Sequence, residues 1–186
     1  MEDLRIKKTK EAIEQATINL IELKGFNNVR LTEIAKVARV NRNTIYLHYK
    51  SKEDIIMSII EKTFINFNQT LDAARLFSGR MLKNKTREIV NNTLNSLNEN
   101  IELYRIILTD PNLVGYFEIA IGKVKDLAFK STKQTQSHRL AVEYIVSGIY
   151  GIITRWIIYA TGSINEVASV ITDFAYNNVR QLQFLR

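Results

Sequence analysis

The segment LTEIAKVARVNRNTIYLHYKSKEDI, residues 31–55, contains two short helical patterns separated by a tight turn. In the first pattern, Ile34 and Ala38 lie four residues apart on one apolar face. Asn41 is a suitable N-cap for a second helix, in which Ile45 faces inward. The segment therefore predicts a helix-turn-helix, and the rest of the chain is interpreted around it.

The second helix of this pair has a polar outward face. Ile45 and Tyr49 are four residues apart and are expected to face the core. The residues left on the opposite face are Arg42, Asn43, Tyr46, Leu47 and His48. They combine side chains that can hydrogen-bond to base edges with side chains that can hold phosphate. This composition is typical of a recognition helix.

A third helix is predicted to begin directly after the pair. Ser51 is a suitable N-cap, and Asp54 follows it at the spacing of a capping box. Lys52 then lies on the first turn, where backbone N–H groups and the helix dipole favour an anion. The sequence thus predicts a phosphate contact at Lys52.

Several short motifs resemble the N-terminal DNA-binding domain of TetR-family transcriptional regulators, over residues 9–55. They are Gly25-Phe26, Ile34-Ala35, Ala38-Arg39-Val40, Asn41-x-Asn43-Thr44-x-Tyr46-x-His48-Tyr49 and Ser51-Lys52-Glu53. The resemblance implies that Arg42 and Asn43 meet bases. It also implies that the DNA backbone is held by Thr44, Tyr46, His48 and Lys52, with a further contact from Thr32.

The sequence departs from the family pattern at three positions. Arg39 stands at a turn position that is usually Gly, and a left-handed backbone there would cost about 1 kcal/mol. Asn43 replaces a usually small residue and offers an additional base contact. Arg30 replaces the usual capping Thr, so the start of the first helix of the pair is expected to be less well secured.

The net charge of +7 is concentrated near the N-terminus. Residues 1–52 contain eleven Lys and Arg against six Asp and Glu, whereas residues 53–186 contain fifteen against thirteen. A basic surplus at the helix-turn-helix fits a polyanionic partner, although a solvated basic face would look the same. The charged N-terminus resembles no signal peptide, and cysteine is absent, so a cytoplasmic protein is expected.

Helical periodicity continues through the remainder of the chain, and no alternating strand pattern is present. A first helix is predicted at residues 5–24, the connecting helix at residues 51–76, and a chain break at Phe77-Ser78-Gly79. The predicted fold is all-α with about nine helices. It comprises a three-helix DNA-binding domain, residues 1–52, and a helical ligand-binding and dimerisation domain, residues 53–186.

The most apolar run, residues 140–160, is interrupted by Glu143 and Arg155 and is too short between them to span a membrane. It predicts a buried helix and no membrane partner. In TetR-like proteins the last two helices pair with those of a second subunit, and an ordinary intrachain core is the alternative. The residues expected at a homodimer interface are Gly148, Gly151, Trp156 and Phe174.

Aromatic side chains are frequent in the second domain, where TetR-like proteins usually bind an effector between helices. The candidate ligand-binding residues are Phe64, Phe67, Tyr104, Tyr116, Phe117 and Tyr150. Each of them could equally be a core residue. Together they permit a small, largely apolar effector without identifying it.

Enzymatic activity is not expected. The two histidines, His48 and His138, have no acidic residue at metal-ligand spacing, and no phosphate-binding Gly-rich loop is present. Neither a metal nor a cofactor is predicted.

The predicted function is a sequence-specific, dimeric transcriptional regulator that binds double-stranded DNA. Most such regulators are repressors released from a palindromic operator by a ligand. The second domain resembles those of firmicute-type members, some of which are activators that work with a partner protein. A helical binding module that has lost DNA binding is a further alternative.

Overall fold

The computed structural model describes residues 4–68, Phe77 and 81–185, with the backbone alone for residues 63–68. Within these residues the chain forms nine α-helices and no strand, which confirms the predicted all-α fold. The helices are α1 (Leu4–Lys24), α2 (Leu31–Val37), α3 (Arg42–Tyr46), α4 (Lys52–Asn68), α5 (Lys83–Glu99), α6 (Ile101–Thr109), α7 (Val114–Lys130), α8 (Gln136–Tyr159) and α9 (Ile164–Gln181). Two short 3-10 turns, Phe26–Asn28 and Leu182–Phe184, follow α1 and α9.

The chain divides into two compact units, Met1–Glu61 and Lys62–Arg186. Along the chain, the boundary between the units falls within α4, several residues after the boundary that the sequence suggested at residue 52. The predicted continuation of this helix to residue 76 and the Ser78-Gly79 part of the predicted break lie outside the described residues.

The first unit is built by α1 packing against α2, and by α2 packing against α3. Gly25 ends α1 with a φ of 77°, a backbone conformation that Gly adopts without steric cost. The start of α2 lacks a capping side chain at Arg30, but the Glu33 carboxylate accepts the Arg30 backbone N–H at 3.0 Å. Lys24 Nζ donates to the same carboxylate at 2.7 Å. Together these hydrogen bonds, with Lys24 foremost, lower the pKa of Glu33 below its ordinary value.

The turn between α2 and α3 contains a residue in the left-handed backbone region. Arg39 has a φ of 55°, and its N–H donates to the Lys36 carbonyl at 3.3 Å. A side chain with a Cβ is strained in this conformation by about 1–2 kcal/mol. The turn position usually occupied by Gly therefore does require a left-handed residue in this chain.

Replacing Arg39 by Gly should raise the free energy of unfolding by up to about 1 kcal/mol, because relief of strain exceeds the added freedom of the unfolded chain. Arg39→Ala is the matched control, since it removes the same charge but keeps the Cβ, and it should give no gain. Chemical denaturation of the three proteins would measure the difference. An equal gain in both variants would assign the effect to charge instead of backbone strain.

The second unit is a helical bundle in which α9 packs against α5 and α8, while α8 also packs against α6 and α7. The start of α9 has a complete capping box. Ser163 Oγ accepts the Glu166 N–H at 3.3 Å, and the Glu166 carboxylate accepts the Ser163 N–H at 2.7 Å. The preceding helix, α8, ends at its C-terminus with Ala160 in the left-handed conformation, with a φ of 51°.

Helix α8 is long and apolar enough to cross a membrane by length and composition. In the structure one side of it belongs to the core of the second unit, where Val142, Ile153 and Ile157 are buried. Trp156 is on this inner side and only 4% exposed. The Trp156 side chain thus packs within its own subunit, and its place at a dimer interface stays a prediction.

Candidate functional site

The outward face predicted for α3 is present. Ile45 and Tyr49 anchor the helix in the first unit, with exposed fractions of 0% and 6%. Arg42 and Asn43 are exposed on the other side. The Asn41 side chain accepts the Asn43 N–H at 2.8 Å, which confirms Asn41 as the N-cap. The first turn of α3 is thus fixed by its N-cap, and the polar residues of the helix face solvent.

Arg42 is held by a neighbour on the same helix. Its Nη2 donates to the Tyr46 hydroxyl at 2.8 Å, and the guanidinium carbon lies 5.4 Å from the centre of the Tyr46 ring. A guanidinium held in this way loses less side-chain freedom when it meets a planar acceptor. Arg42 and Tyr46 therefore form one exposed, partly ordered donor group.

The remaining residues predicted to contact DNA differ in how far they are buried. Thr32 is exposed on α2, whereas Thr44 and His48 are half-buried. The His48 ring meets the Tyr49 ring edge-on, with 6.4 Å between the ring centroids. All three residues lie within the first unit, and their contacts with DNA stay predictions.

Lys52 has a structural contact that the sequence did not indicate. Its Nζ donates to the carbonyls of Phe26 at 2.8 Å and Val29 at 3.3 Å, and it lies 4.1 Å from the centre of the Phe26 ring. Two of the three ammonium N–H groups thus secure the segment between α1 and α2. A phosphate contact by Lys52 can use only the third N–H without breaking these bonds.

A buried carboxylate joins the recognition segment to two other helices. Glu14 on α1 is only 7% exposed, and its Oε1 accepts the Tyr49 hydroxyl at 2.8 Å and the Ser58 hydroxyl at 2.9 Å. Tyr49 follows α3, and Ser58 lies on α4. The sequence interpretation missed this cluster; its one signal is an acidic residue four and seven positions before the buried Ile18 and Ile21 of the same helix face.

The second unit encloses an apolar cavity of about 80 Å³. Its wall is formed by helices α5, α7, α8 and α9 together with Phe77, and within the described part of the chain no charged side chain lines it. The lining residues are Phe77, Thr86, Ile89, Val90, Thr93, Leu94, Ile121, Val124, Ile145, Val146, Ile149, Tyr150, Ile153, Ile171, Ala175 and Val179.

The aromatic residues expected to bind a ligand are distributed unevenly around this cavity. Tyr150 lines it, whereas Tyr104 and Phe117 are core residues, 1% and 0% exposed, whose rings contact each other edge-on at 6.0 Å. Phe117 in turn stacks on Tyr150 at 5.7 Å. Tyr116 is half-buried and does not line the cavity. Tyr104, Tyr116 and Phe117 thus do not line this cavity, and their contact with a ligand stays a prediction.

Two further ligand-binding candidates, Phe64 and Phe67, lie in the part of α4 whose side chains are outside the described residues. Their place relative to the cavity stays a prediction.

Apolar side chains are also exposed along the outer sides of α8 and α9. On α8, Leu140, Tyr144 and Tyr159 are 61%, 68% and 66% exposed; on α9, Val170 and Phe174 are 45% and 56% exposed. Gly148 and Gly151 lie on the same outer side of α8, and a Cβ at either position would meet no atom within 4 Å. We call this set of exposed residues the outer face of the second unit.

Comparison with known proteins agrees with the helix-turn-helix. Residues 13–59 match the family described as "Bacterial regulatory proteins, tetR family". The HTH-type transcriptional repressor BepR of Brucella suis is 43% identical over 68 residues, 36% of this chain and 32% of that protein. The HTH-type transcriptional repressor NicS of Pseudomonas putida is 30% identical over 69 residues, 37% of this chain and 32% of that protein. The chain thus spans about a third of the length of these two relatives.

A solved structure extends the similarity to the whole fold. It is a TetR-family transcriptional regulator from Syntrophomonas wolfei, with a TM-score of 0.65 and 17% identity, covering 93% of this chain and 95% of that one. At this identity the likeness concerns the fold alone. Both units of the fold are shared, and residues 13–59 of this chain are similar to the helix-turn-helix domain of the TetR family of bacterial regulatory proteins.

Proposed function

We propose that the protein is a sequence-specific DNA-binding repressor that works as a homodimer in the cytoplasm and is released from its operator by a small molecule. The observation that carries the proposal is the outward face of α3. Arg42, Asn43 and Tyr46 are exposed there, while Ile45 and Tyr49 on the opposite side fix the helix in the first unit. An exposed polar helix on a basic helix-turn-helix is suited to reading base edges in the major groove.

Each residue of the proposed DNA interface has one of two roles. Arg42 and Asn43 carry side chains that can form bidentate hydrogen bonds with guanine and adenine, so they are proposed to read sequence. Thr32, Thr44, Tyr46, His48 and Lys52 are proposed to hold phosphates. Such contacts release counterions and make the affinity fall as salt rises.

The sign of regulation is inferred from the relatives. BepR and NicS, which are similar to about a third of this chain, are both named as repressors. A dimer is supported by the outer face of the second unit, where exposed apolar residues on the last two helices could pair with a second copy. A two-fold dimer would require a pseudo-palindromic operator with half-sites one helical turn or a multiple apart.

The apolar cavity of the second unit supports a ligand-controlled regulator. For a ligand to release the operator, it must bind the DNA-incompetent state more tightly than the competent state. A typical coupling is about 1–3 kcal/mol, or roughly 5- to 150-fold in affinity, and it acts equally in both directions. Operator DNA should therefore weaken ligand binding by the same factor.

Replacing Arg42 by alanine tests the DNA-reading proposal. We expect a loss of about 1–3 kcal/mol on a selected operator duplex and a much smaller loss on a random duplex, because a base contact is lost. Lys50→Ala is the matched control, since Lys50 is an exposed cation next to the recognition segment and has no proposed base contact. It should weaken both duplexes equally.

Fluorescence anisotropy with both duplexes over a range of salt concentrations measures these effects. An equal loss on the two duplexes for Arg42→Ala would refute its role in sequence reading. If no duplex is bound selectively by the wild type, the alternative of a helical module without DNA binding is favoured.

A further inference from the structure

A second cavity in the second unit, of about 370 Å³, has a polar wall. It lies beside the loop between α7 and α8 and the short turn that follows α9. The lining residues are Phe77, Ser131, Thr132, Lys133, His138, Leu182 and Gln183. In the ranges of the chain that the structure describes, its wall contains a cationic side chain and an imidazole but no carboxylate, so it differs in chemistry from the apolar cavity.

His138 is the buried polar group of this wall, with an exposed fraction of only 1%. Its Nδ1 lies 2.7 Å from the Thr135 hydroxyl oxygen. Among the residues that the structure describes, its Nε2 has no hydrogen-bond partner. A ring nitrogen without a protein partner in the wall of a cavity is available to a ligand, with which it can form a hydrogen bond.

The hydroxyl of Thr135 determines what His138 can offer. When this hydroxyl donates to Nδ1, the imidazole proton of the neutral ring is on Nε2, which is then a hydrogen-bond donor. An anion beside Nε2 favours this tautomer, because the other tautomer would place an acceptor lone pair against it. The ring thus provides one N–H for an anionic group.

Lys133 supplies the charge. Its side chain is exposed at the cavity, and its closest described contact is a long one, 3.5 Å from Nζ to the Gln183 carbonyl. Asp126, the acidic partner of Arg139 at 3.4 Å, does not line the cavity. The polar cavity therefore favours an anion over a neutral or cationic group.

Phe77 lines both the polar cavity and the apolar cavity, so the two cavities are adjacent at this residue. A molecule that extends past Phe77 would have an apolar part among Ile and Val side chains and a polar part at Lys133 and His138. Neither cavity alone indicates such a molecule. The two cavities together indicate a ligand with one apolar end and one polar end, because each end must match a different environment.

We propose that the effector is an amphipathic acid, with its anionic head bound by Lys133 Nζ and His138 Nε2 and its apolar tail directed past Phe77 into the apolar cavity. This inference rests on the proposed function, in which the second unit binds an effector, and it names the effector's chemical class. Each CH₂ group buried in the apolar cavity should tighten binding about fourfold, until the cavity is full.

Decanoate and decan-1-ol distinguish the acid from an apolar ligand of equal chain length. Isothermal titration of the full-length protein should give an affinity for decanoate about tenfold higher than for decan-1-ol, from charge-assisted hydrogen bonds at an exposed lysine. Lys133→Gln should remove this preference by weakening decanoate about tenfold and leaving decan-1-ol unchanged. Lys130→Gln is the matched control, since Lys130 is an exposed cation of the same segment that does not line the cavity, and it should change neither affinity.

Three results would overturn the inference. They are equal affinity of the wild type for the two compounds, an equal loss of both in Lys133→Gln, and no binding of either compound. Operator binding is measured separately in the same preparations. Decanoate binding with the expected preference would uphold the site even if operator affinity stayed constant, and that outcome would refute only the ligand-release part of the proposed function.

Discussion

Replacing Glu14 by alanine is expected to lower the free energy of unfolding of the first unit by about 3–5 kcal/mol. The Glu14 carboxylate accepts hydroxyl hydrogen bonds from Tyr49 and Ser58 at 2.8 and 2.9 Å. Hydrogen bonds to a charged group contribute about 1.5–3 kcal/mol each, and their loss leaves two hydroxyls without this acceptor. Because Tyr49 anchors α3 in the first unit, selective DNA binding should also be weakened.

Amide hydrogen exchange is the suitable measurement, since it resolves the opening of α1, α2 and α3 from the unfolding of the second unit. Glu22→Ala is the matched control, because Glu22 is an exposed acid on the same helix. Its replacement should change the free energy of opening, measured by exchange, by less than about 0.5 kcal/mol. Glu14→Gln keeps an acceptor oxygen and should recover part of the loss. Equal protection in Glu14→Ala and the wild type would mean that the three helices are held together by apolar packing alone.

Sequence reasoning did not find Glu14 because its partners are far away along the chain. Tyr49 is 35 residues from Glu14, and Ser58 is 44 residues away. Helical periodicity reports which side of α1 is apolar, but it gives no information on which residues of other helices meet that side. A polar residue on an apolar face is the only local sign of such a contact.

The helix-turn-helix itself was predictable because its determinants are local. The N-cap of α3 is formed within three residues, by the Asn41 side chain and the Asn43 N–H. The burial of Ile45 follows from its spacing on the helix. The left-handed backbone at Arg39 could not be predicted in this way, because the residue type alone does not show the sign of φ.

In the second unit the sequence predicted the helices, but it could not show which side of each helix faces the core. Helix α8 is apolar on nearly all sides, so its pattern could not distinguish the inward Trp156 from the outward Tyr144. The aromatic residues gave the same difficulty, because Tyr104 and Phe117 fill the core by contacting each other. Only three-dimensional packing determines which aromatic side chain borders a cavity.

Replacing Phe174 by glutamate is expected to split the proposed homodimer and to reduce operator affinity by at least about 100-fold. Phe174 belongs to the outer face of the second unit and is 56% exposed in the single chain. Burial of a large aromatic side chain at an interface is strongly favourable, whereas an unpaired carboxylate there would be costly. A monomer would hold only one half-site, so the combined affinity of two linked recognition helices would be lost.

Ile119→Glu is the matched control for this prediction. Ile119 is an apolar residue of α7 with a similar exposed fraction, 52%, and it lies outside the outer face of α8 and α9. Its replacement should leave both mass and operator affinity unchanged. Multi-angle light scattering at micromolar concentration gives the mass, and anisotropy with an operator and with a single half-site gives the affinities. A dimeric Phe174→Glu protein would exclude Phe174 from the interface, and a monomeric wild type that still binds a palindrome tightly would refute the dimer itself.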